Sequence, residues 1–209
     1  MKIIVIPVTP YEQNCSLVIC EESNIAAIVD PGGDQEKILK IVKGQGVQVD
    51  KIILTHGHLD HVGGTEALAS LLKVPVIGPE KEDLFWLEQM EAQSLRFGFP
   101  TTRSFVPDRW LEEDEIVEVG NIRLKVLHIP GHTPGHIALL DEQSKQVIVG
   151  DILFNGSIGR SDFPRGNQVQ LISGIKKKLL TLPPETRVYP GHGPTTTIGQ
   201  EKACNPFLG

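Results

Sequence analysis

Three histidines and an aspartate, His56, His58, His61 and Asp60, stand within six residues of Thr55-His56-Gly57-His58-Leu59-Asp60-His61. The apolar run Ile52-Ile53-Leu54 precedes them. If strand geometry persists past that run, the imidazoles at 56 and 58 point the same way, and Gly57 lets the backbone bend close. Two nitrogens can then face one cation. Asp60 and His61 follow after the chain has turned and address a second point a few Å from the first. Such a set suits a two-metal site, with ions about 3.5 to 4 Å apart and water held between them. A polar loop with chance histidines is the poorer reading, because these groups would be costly to bury unpaired.

A second histidine-bearing turn is Gly131-His132-Thr133-Pro134-Gly135-His136, set off from the run ending at Ile129 by Pro130 and Gly131. His132 is the candidate ligand there. His136 opens the next strand and belongs behind the ligands, and His128, within a strand, reads as a packing histidine. Asp151 follows Val147-Ile148-Val149-Gly150, so its two acceptor oxygens sit at a strand end where they can bridge two cations. His192 stands in Gly191-His192-Gly193.

These residues need a frame that brings distant segments together. Short β-branched runs predict three hairpins: 15–20 with 25–29, 115–119 with 122–127 across Gly120-Asn121, and 136–140 with 146–149. Helical spacing predicts helices over 34–43, 65–73 and 168–180. The plan is used twice. A hairpin ends at Asp30, a helix follows, and the strand 51–54 delivers His56; a hairpin ends at Asp151, a helix follows, and the strand 187–189 delivers His192. Two such halves, packed sheet against sheet with helices outside, bring both strand ends to one edge. Within 79–110, residues 81–95 read as helix and 97–110 as a covering loop. The acidic run 112–115 and the basic run 176–178 read as solvated faces.

The chain has 209 residues, 40% hydrophobic and 22% charged, which predicts one domain over 1–209 with a sizeable core and excludes disorder. Lys and Arg number 20 against 26 Asp and Glu, a poor balance for holding nucleic acid. With only 5% aromatic residues, a site built from rings is not expected. The apolar run near Met1 is too short for a signal-peptide core or a membrane span. Cys15, Cys20 and Cys204 form no Cys-x-x-Cys pair and fit free thiols in a reducing compartment. Together these predict a cytoplasmic protein.

Nearly the whole chain resembles the metallo-β-lactamase fold superfamily, and within it the glyoxalase II-like hydrolases in their short form without a C-terminal helical domain. The resemblance runs through Asp30-Pro31-Gly32-Gly33, the His-x-His-x-Asp-His loop, residues 130–136, Gly150-Asp151, Gly159-Arg160-Ser161-Asp162-Phe163-Pro164, Gly191-His192-Gly193 and Asn205-Pro206-Phe207. It implies an α+β fold, an αββα four-layer sandwich of two similar halves. It also implies that His56, His58 and His132 hold one metal and Asp60, His61 and His192 another, with Asp151 bridging. Asp60 and Asp151 then act in catalysis. Five imidazoles and two carboxylates suit two divalent ions, Zn²⁺ first, with Fe or Mn as alternatives. Such a pair lowers the pKa of the shared water towards roughly 7, giving hydroxide at neutral pH.

The implied substrate is a small thioester such as S-D-lactoylglutathione. A thiolate leaving group, of conjugate-acid pKa about 8.5, needs no strong acid, and no spare acid stands beside the motifs. Arg160 corresponds to the family's carboxylate-binding residue, and Arg165 is a second candidate, against an ion pair of Arg160 with Asp162. The rival of the same fold is a persulfide dioxygenase with a single iron. A nuclease of the superfamily is disfavoured by the acidic balance, and a β-lactamase by the lack of an export signal.

Overall fold

The computed structural model describes all 209 residues. The first half comprises β1 (Lys2–Val8), β2 (Gln13–Cys20), β3 (Ile25–Val29), α1 (Gln35–Gln45), β4 (Gln48–Ile53), α2 (Leu59–Val62), α3 (Thr65–Leu72) and β5 (Val76–Ile77). A 3₁₀ turn over Lys81–Asp83 leads into α4 (Leu84–Leu87) and α5 (Met90–Phe97). The second half comprises β6 (Ile116–Val119), β7 (Ile122–His128), β8 (Ile137–Asp141), β9 (Gln146–Gly150), β10 (Leu153–Phe154), β11 (Ser157–Ile158), α6 (Gln168–Gly174), β12 (Arg187–Pro190), β13 (Thr196–Thr197) and α7 (Ile198–Cys204).

Side chains alternate across the strands, and each sheet is covered on both faces. In β2, Cys15, Leu17 and Ile19 pack with Ile38 of α1 and Leu68 of α3, while Val18 and Cys20 face the other way, towards Val117 and Leu124 of the second half. In β8, Ile137 and Leu139 join that central layer, and Ala138 and Leu140 pack with Leu171 and Ile175 on the outside. Three apolar layers therefore separate helix, sheet, sheet and helix. This is the α+β, four-layer arrangement expected from the sequence.

The duplicated plan is present in the pairing. β2 and β3 form an antiparallel hairpin, and β4 then lies parallel to β3 after α1. β8 and β9 form a hairpin, and β12 lies parallel to β9 after α6. The sheets run β1-β2-β3-β4-β5 and β13-β12-β9-β8-β7-β6. Parallel β4 and β12 each end on a loop that opens towards the other half, which places both histidine segments at one edge.

Some elements differ from expectation. β1 pairs along the whole of β2, with Pro7 tolerated because β1 is an edge strand. The predicted helix 81–95 breaks at Gln89 (φ −109°, ψ 18°). Its first part buries Trp86 and Leu87, and its second part swings one face over the site. The helix predicted over 168–180 widens into a π turn over Ile175–Leu179. The runs 112–115 and 176–178 lie largely exposed, as expected, and are joined by one surface pair, Glu113 with Lys178 at 2.8 Å. No helix is long and apolar enough to cross a membrane.

Candidate metal centre

All seven side chains singled out as ligands meet at this edge. His56, His58 and His132 form one group of potential donor atoms, and Asp60, His61 and His192 form another. Asp151 lies between them: Oδ1 is 3.3 Å from His61 Nε2, and Oδ2 is 3.7 Å from both His132 Nε2 and His192 Nε2. Three chain segments thus converge on the end of β9. Gly191 makes this approach possible, since a Cβ there would lie 2.2 Å from Asp151 Oδ1 and 2.6 Å from His61 Cε1.

The rings are aimed by bonds to their outer nitrogens. His56 Nδ1 donates to Thr55 Oγ1 (3.0 Å), His61 Nδ1 to Asp30 Oδ2 (3.0 Å), His132 Nδ1 to the Arg160 carbonyl (2.6 Å) and His192 Nδ1 to the Tyr11 carbonyl (3.2 Å). Each bond leaves the Nε2 lone pair turned inward, the arrangement that orients imidazole for a cation. Four buried atoms of the cluster, His56 Nε2, His58 Nε2, His61 Nε2 and Asp151 Oδ1, have no hydrogen bond, and His58 instead turns Nδ1 towards His132 Nε2 at 3.0 Å, two ring nitrogens face to face. So many unpaired acceptors in one place would be costly unless a cation satisfied them. The residues fit divalent metal.

Asp30 is part of a third donor group with His56 and His61, but its oxygens are already occupied. Oδ1 accepts the Thr55 amide (2.7 Å), and Oδ2 accepts the Thr55 hydroxyl (2.6 Å) as well as His61. It orients the ligand loop. His136 also stands behind the ligands, stacked on His56 with centroids 4.3 Å apart and accepting the Asp151 amide on Nε2 at 3.0 Å. His128 lies outside the site, half-buried and bonded to the Pro134 carbonyl at 2.8 Å.

Asp83 is the residue that sequence reasoning missed. It is fully buried and accepts the Gly57 amide (2.8 Å), the Thr133 hydroxyl (2.8 Å) and the Gly135 amide (2.5 Å). One carboxyl thereby ties the loop of His56 and His58 to the turn of His132. Burial pushes its pKa up to about 7, against the pull of the three donors.

Burial holds His56, His58, His132 and His136 below the usual imidazole value, and neighbouring imidazoles add to this at His56, His58 and His136. Burial acts the same way at His61 and His192, but the Asp151 and Asp60 carboxylates outweigh it and raise both. At Asp151 burial favours the neutral acid, yet His61, His132 and His192 pull it far below the carboxylate range. For the four depressed imidazoles, the unfolded chain binds protons below about pH 6.5 that the folded chain refuses, so their stabilisation is lost as pH falls. His61, His192 and Asp83, whose pKa is raised to about 7, act in the opposite sense, and the four outnumber the three. The urea midpoint of chelator-treated protein is accordingly expected to drop between about pH 7 and pH 5. A flat midpoint over that range would contradict this account.

A cleft of about 490 Å³ opens over the site, a volume suited to a small molecule. Contrary to the expectation from composition, its walls are rings. Tyr11, Trp86, Phe97, Phe99, Phe154 and Phe163 line it, six of the chain's eleven Phe, Tyr and Trp residues. Its only carboxylates are Asp60 and Asp151. Arg160 lines the cleft but forms a bidentate pair with Asp162, both contacts 2.7 Å, and lies over Phe163. Arg165 does not line the cleft and stacks on Phe85 at 4.1 Å, which corrects its assignment as a substrate contact. Arg96, not anticipated from sequence, lines the cleft.

The family profile described as "Metallo-beta-lactamase superfamily" matches residues 8–192. A Haemophilus influenzae protein named hydroxyacylglutathione hydrolase GloC is 46% identical over 209 residues, spanning 100% of this chain and 98% of its own. Among solved structures, BLEG-1 B3 metallo-beta-lactamase superposes with a TM-score of 0.91 at 34% identity, covering 99% of each chain. TTHA1623 in a di-iron-bound form superposes with a TM-score of 0.89 at 40% identity, covering 98% of this chain and 100% of its own.

Proposed function

The chain belongs to the metallo-beta-lactamase superfamily, and from that footing we propose that it is a binuclear-metal thioester hydrolase acting on S-D-lactoylglutathione or a related thioester. The observation that carries this reading is the convergence of two imidazole-rich donor groups on the Asp151 carboxylate, which lies 3.3 Å from His61 Nε2 and 3.7 Å from His132 Nε2 and His192 Nε2. His56, His58 and His132 would hold one ion and Asp60, His61 and His192 the other, with Asp151 between them. When bound, two divalent ions acidify a water to near neutral pH and polarise a carbonyl oxygen.

The chain's own residues supply the rest. Thr55, Asp30 and the carbonyls of Arg160 and Tyr11 keep the rings in one tautomer and one orientation. Asp60 Oδ2 lies 3.2 Å from His192 Nε2, where the two steady each other at the edge of the cleft. The ring-lined walls offer apolar surface beside the metal ligands. A cleft with no acid beyond Asp60 and Asp151 supports a leaving group that departs unaided, as a thiolate of conjugate-acid pKa about 8.5 does. The relative named hydroxyacylglutathione hydrolase supports the same choice. Imidazole and carboxylate donors suit Zn²⁺, Fe or Mn, and the di-iron form of a structural neighbour shows that iron belongs among the metals to be tried.

The test is metal content measured on the same sample as rates on S-D-lactoylglutathione, other thioesters and a β-lactam. Two ions per chain are expected, with thioester hydrolysis lost to a chelator, regained on adding metal back, and faster than β-lactam hydrolysis. A single iron, with oxygen consumed on glutathione persulfide, would replace hydrolysis with the dioxygenase reading.

A further inference from the structure

The chain between β1 and β2 addresses one side of the site with three residues out of four. The Tyr11 carbonyl accepts His192 Nδ1 at 3.2 Å. The side-chain amide of Gln13, fully buried, stands 3.3 Å from His61 Nδ1. That ring proton already goes to Asp30, so an amide N–H turned to it would set two donors against each other and leave Gln13 Oε1 buried without a partner. With the amide oxygen turned to the ring, Asp30 and Gln13 share the proton between them. Asn14 donates its backbone amide to the Gly191 carbonyl at 2.7 Å, and its side-chain amide to the carbonyls of Pro190 and Gly193 at 3.0 and 2.8 Å. It thus grips the segment of His192 on both sides. Glu12, between them, takes φ 51°, a left-handed bend that L residues rarely adopt, where the chain addresses two rings whose centroids are 5.4 Å apart. None of these hydrogen bonds reaches the other donor group, where His56 is oriented by Thr55 and His132 by the Arg160 carbonyl.

We propose that residues 11–14 are the positioning element of the second donor group, Asp60, His61 and His192, and set the affinity of its ion without setting that of the first. This rests on the two-metal reading and adds a separate control to it: the chain can lose the second ion and keep the first. An imidazole held at its outer nitrogen meets a cation already oriented. His192 depends on this most, because its side chain is 29% exposed against 0% for His61 and 3% for His132. Tyr11 also joins the element to the cleft wall. Its ring stacks on Phe99 with centroids 5.3 Å apart, and its hydroxyl donates to the Phe97 carbonyl at 3.4 Å, so the wall steadies the carbonyl that His192 bonds.

The experiment loads the full chain with Co²⁺ and withdraws the metal with a competing chelator. Equilibrium dialysis reads the ions left per chain, and electron paramagnetic resonance reads the coupling between them. Two coupled ions are expected in the unaltered protein. In Gln13→Leu and Asn14→Leu the second ion binds about 10- to 100-fold more weakly, the first stays within about twofold of its usual affinity, and the resonance becomes that of an isolated ion. Adding His58→Ala to Asn14→Leu removes the retained ion, which assigns it to the first group. Tyr11→Ala, at a half-exposed position, weakens the second ion selectively but less, and Tyr11→Phe, which keeps the stack, restores it. Where the leucine variants do not fold, the Tyr11 pair decides. Weakening of both ions alike, or of neither, overturns the positioning element while two ions in the unaltered protein leave the hydrolase reading standing. One ion per chain in the unaltered protein overturns the two-metal reading, and the element with it.

Discussion

Asp151→Ala is expected to abolish thioester hydrolysis, by about 10³-fold or more in kcat, equivalent to at least about 4 kcal/mol of barrier. Its carboxylate is the one group within reach of His61, His132 and His192 together. Without it the two donor groups lose their shared member, and the positive character that Asp151 induces at His61 is left without its nearest counter-charge. Bound metal should fall by at least one equivalent per chain, measured by emission spectroscopy beside the rate. His58→Ala should do the same on the first group alone. Full activity in Asp151→Ala, or in metal-stripped protein, would sink the mechanism.

Asp83→Ala is expected to lose about 3 to 5 kcal/mol of stability and about 10- to 100-fold in metal affinity, without touching a ligand. The substitution leaves two buried amides and a buried hydroxyl without an acceptor, each costing about 1 to 3 kcal/mol. It also cuts the tie between the loop of His56 and the turn of His132. Asp83→Asn should be milder, since one amide oxygen can still accept Gly57 and Thr133, while its NH₂ must oppose the Gly135 amide. Urea melts and a metal competition titration against a chelator read the two effects separately. Normal metal affinity in a folded Asp83→Ala protein would show that the tie is only structural.

Much of this was legible in the sequence because it depends on local periodicity. Near-continuous apolar runs such as 15–20 and 137–140 identify strands buried on both faces, and hairpin, helix and parallel strand recur at matched places. The clustered histidines identify a site before any fold is known. What escaped depends on tertiary contact. Asp83 lies in an unremarkable Lys-Glu-Asp turn, and only folding sets it beneath two loops 26 and 52 residues away. Composition counts rings but not where they gather, so eleven aromatic residues in a long chain concealed six around one cleft. Arg160 drew attention through its motif although Asp162, two residues on, already satisfies it. Arg96 had no motif at all, and the break at Gln89 that aims it follows from burial of Trp86 and Leu87 against the loop of His58.

The position of the site at the seam has a further consequence. Its seven side chains come from both halves, which are also fastened beside it by Asp83 on Thr133 and Gly135, by the Ile137 amide on the Thr55 carbonyl, and by the Asn14 amide on the carbonyls of Pro190 and Gly193, at 3.0 and 2.8 Å. Any ion held there binds only when the halves are docked, so its binding energy adds to the cohesion of the whole chain. Scarcity of metal would then act on the lifetime of the protein as well as on its rate: chains without ions should open at the seam more often, expose the apolar layer between the sheets, and be cleared first by proteases.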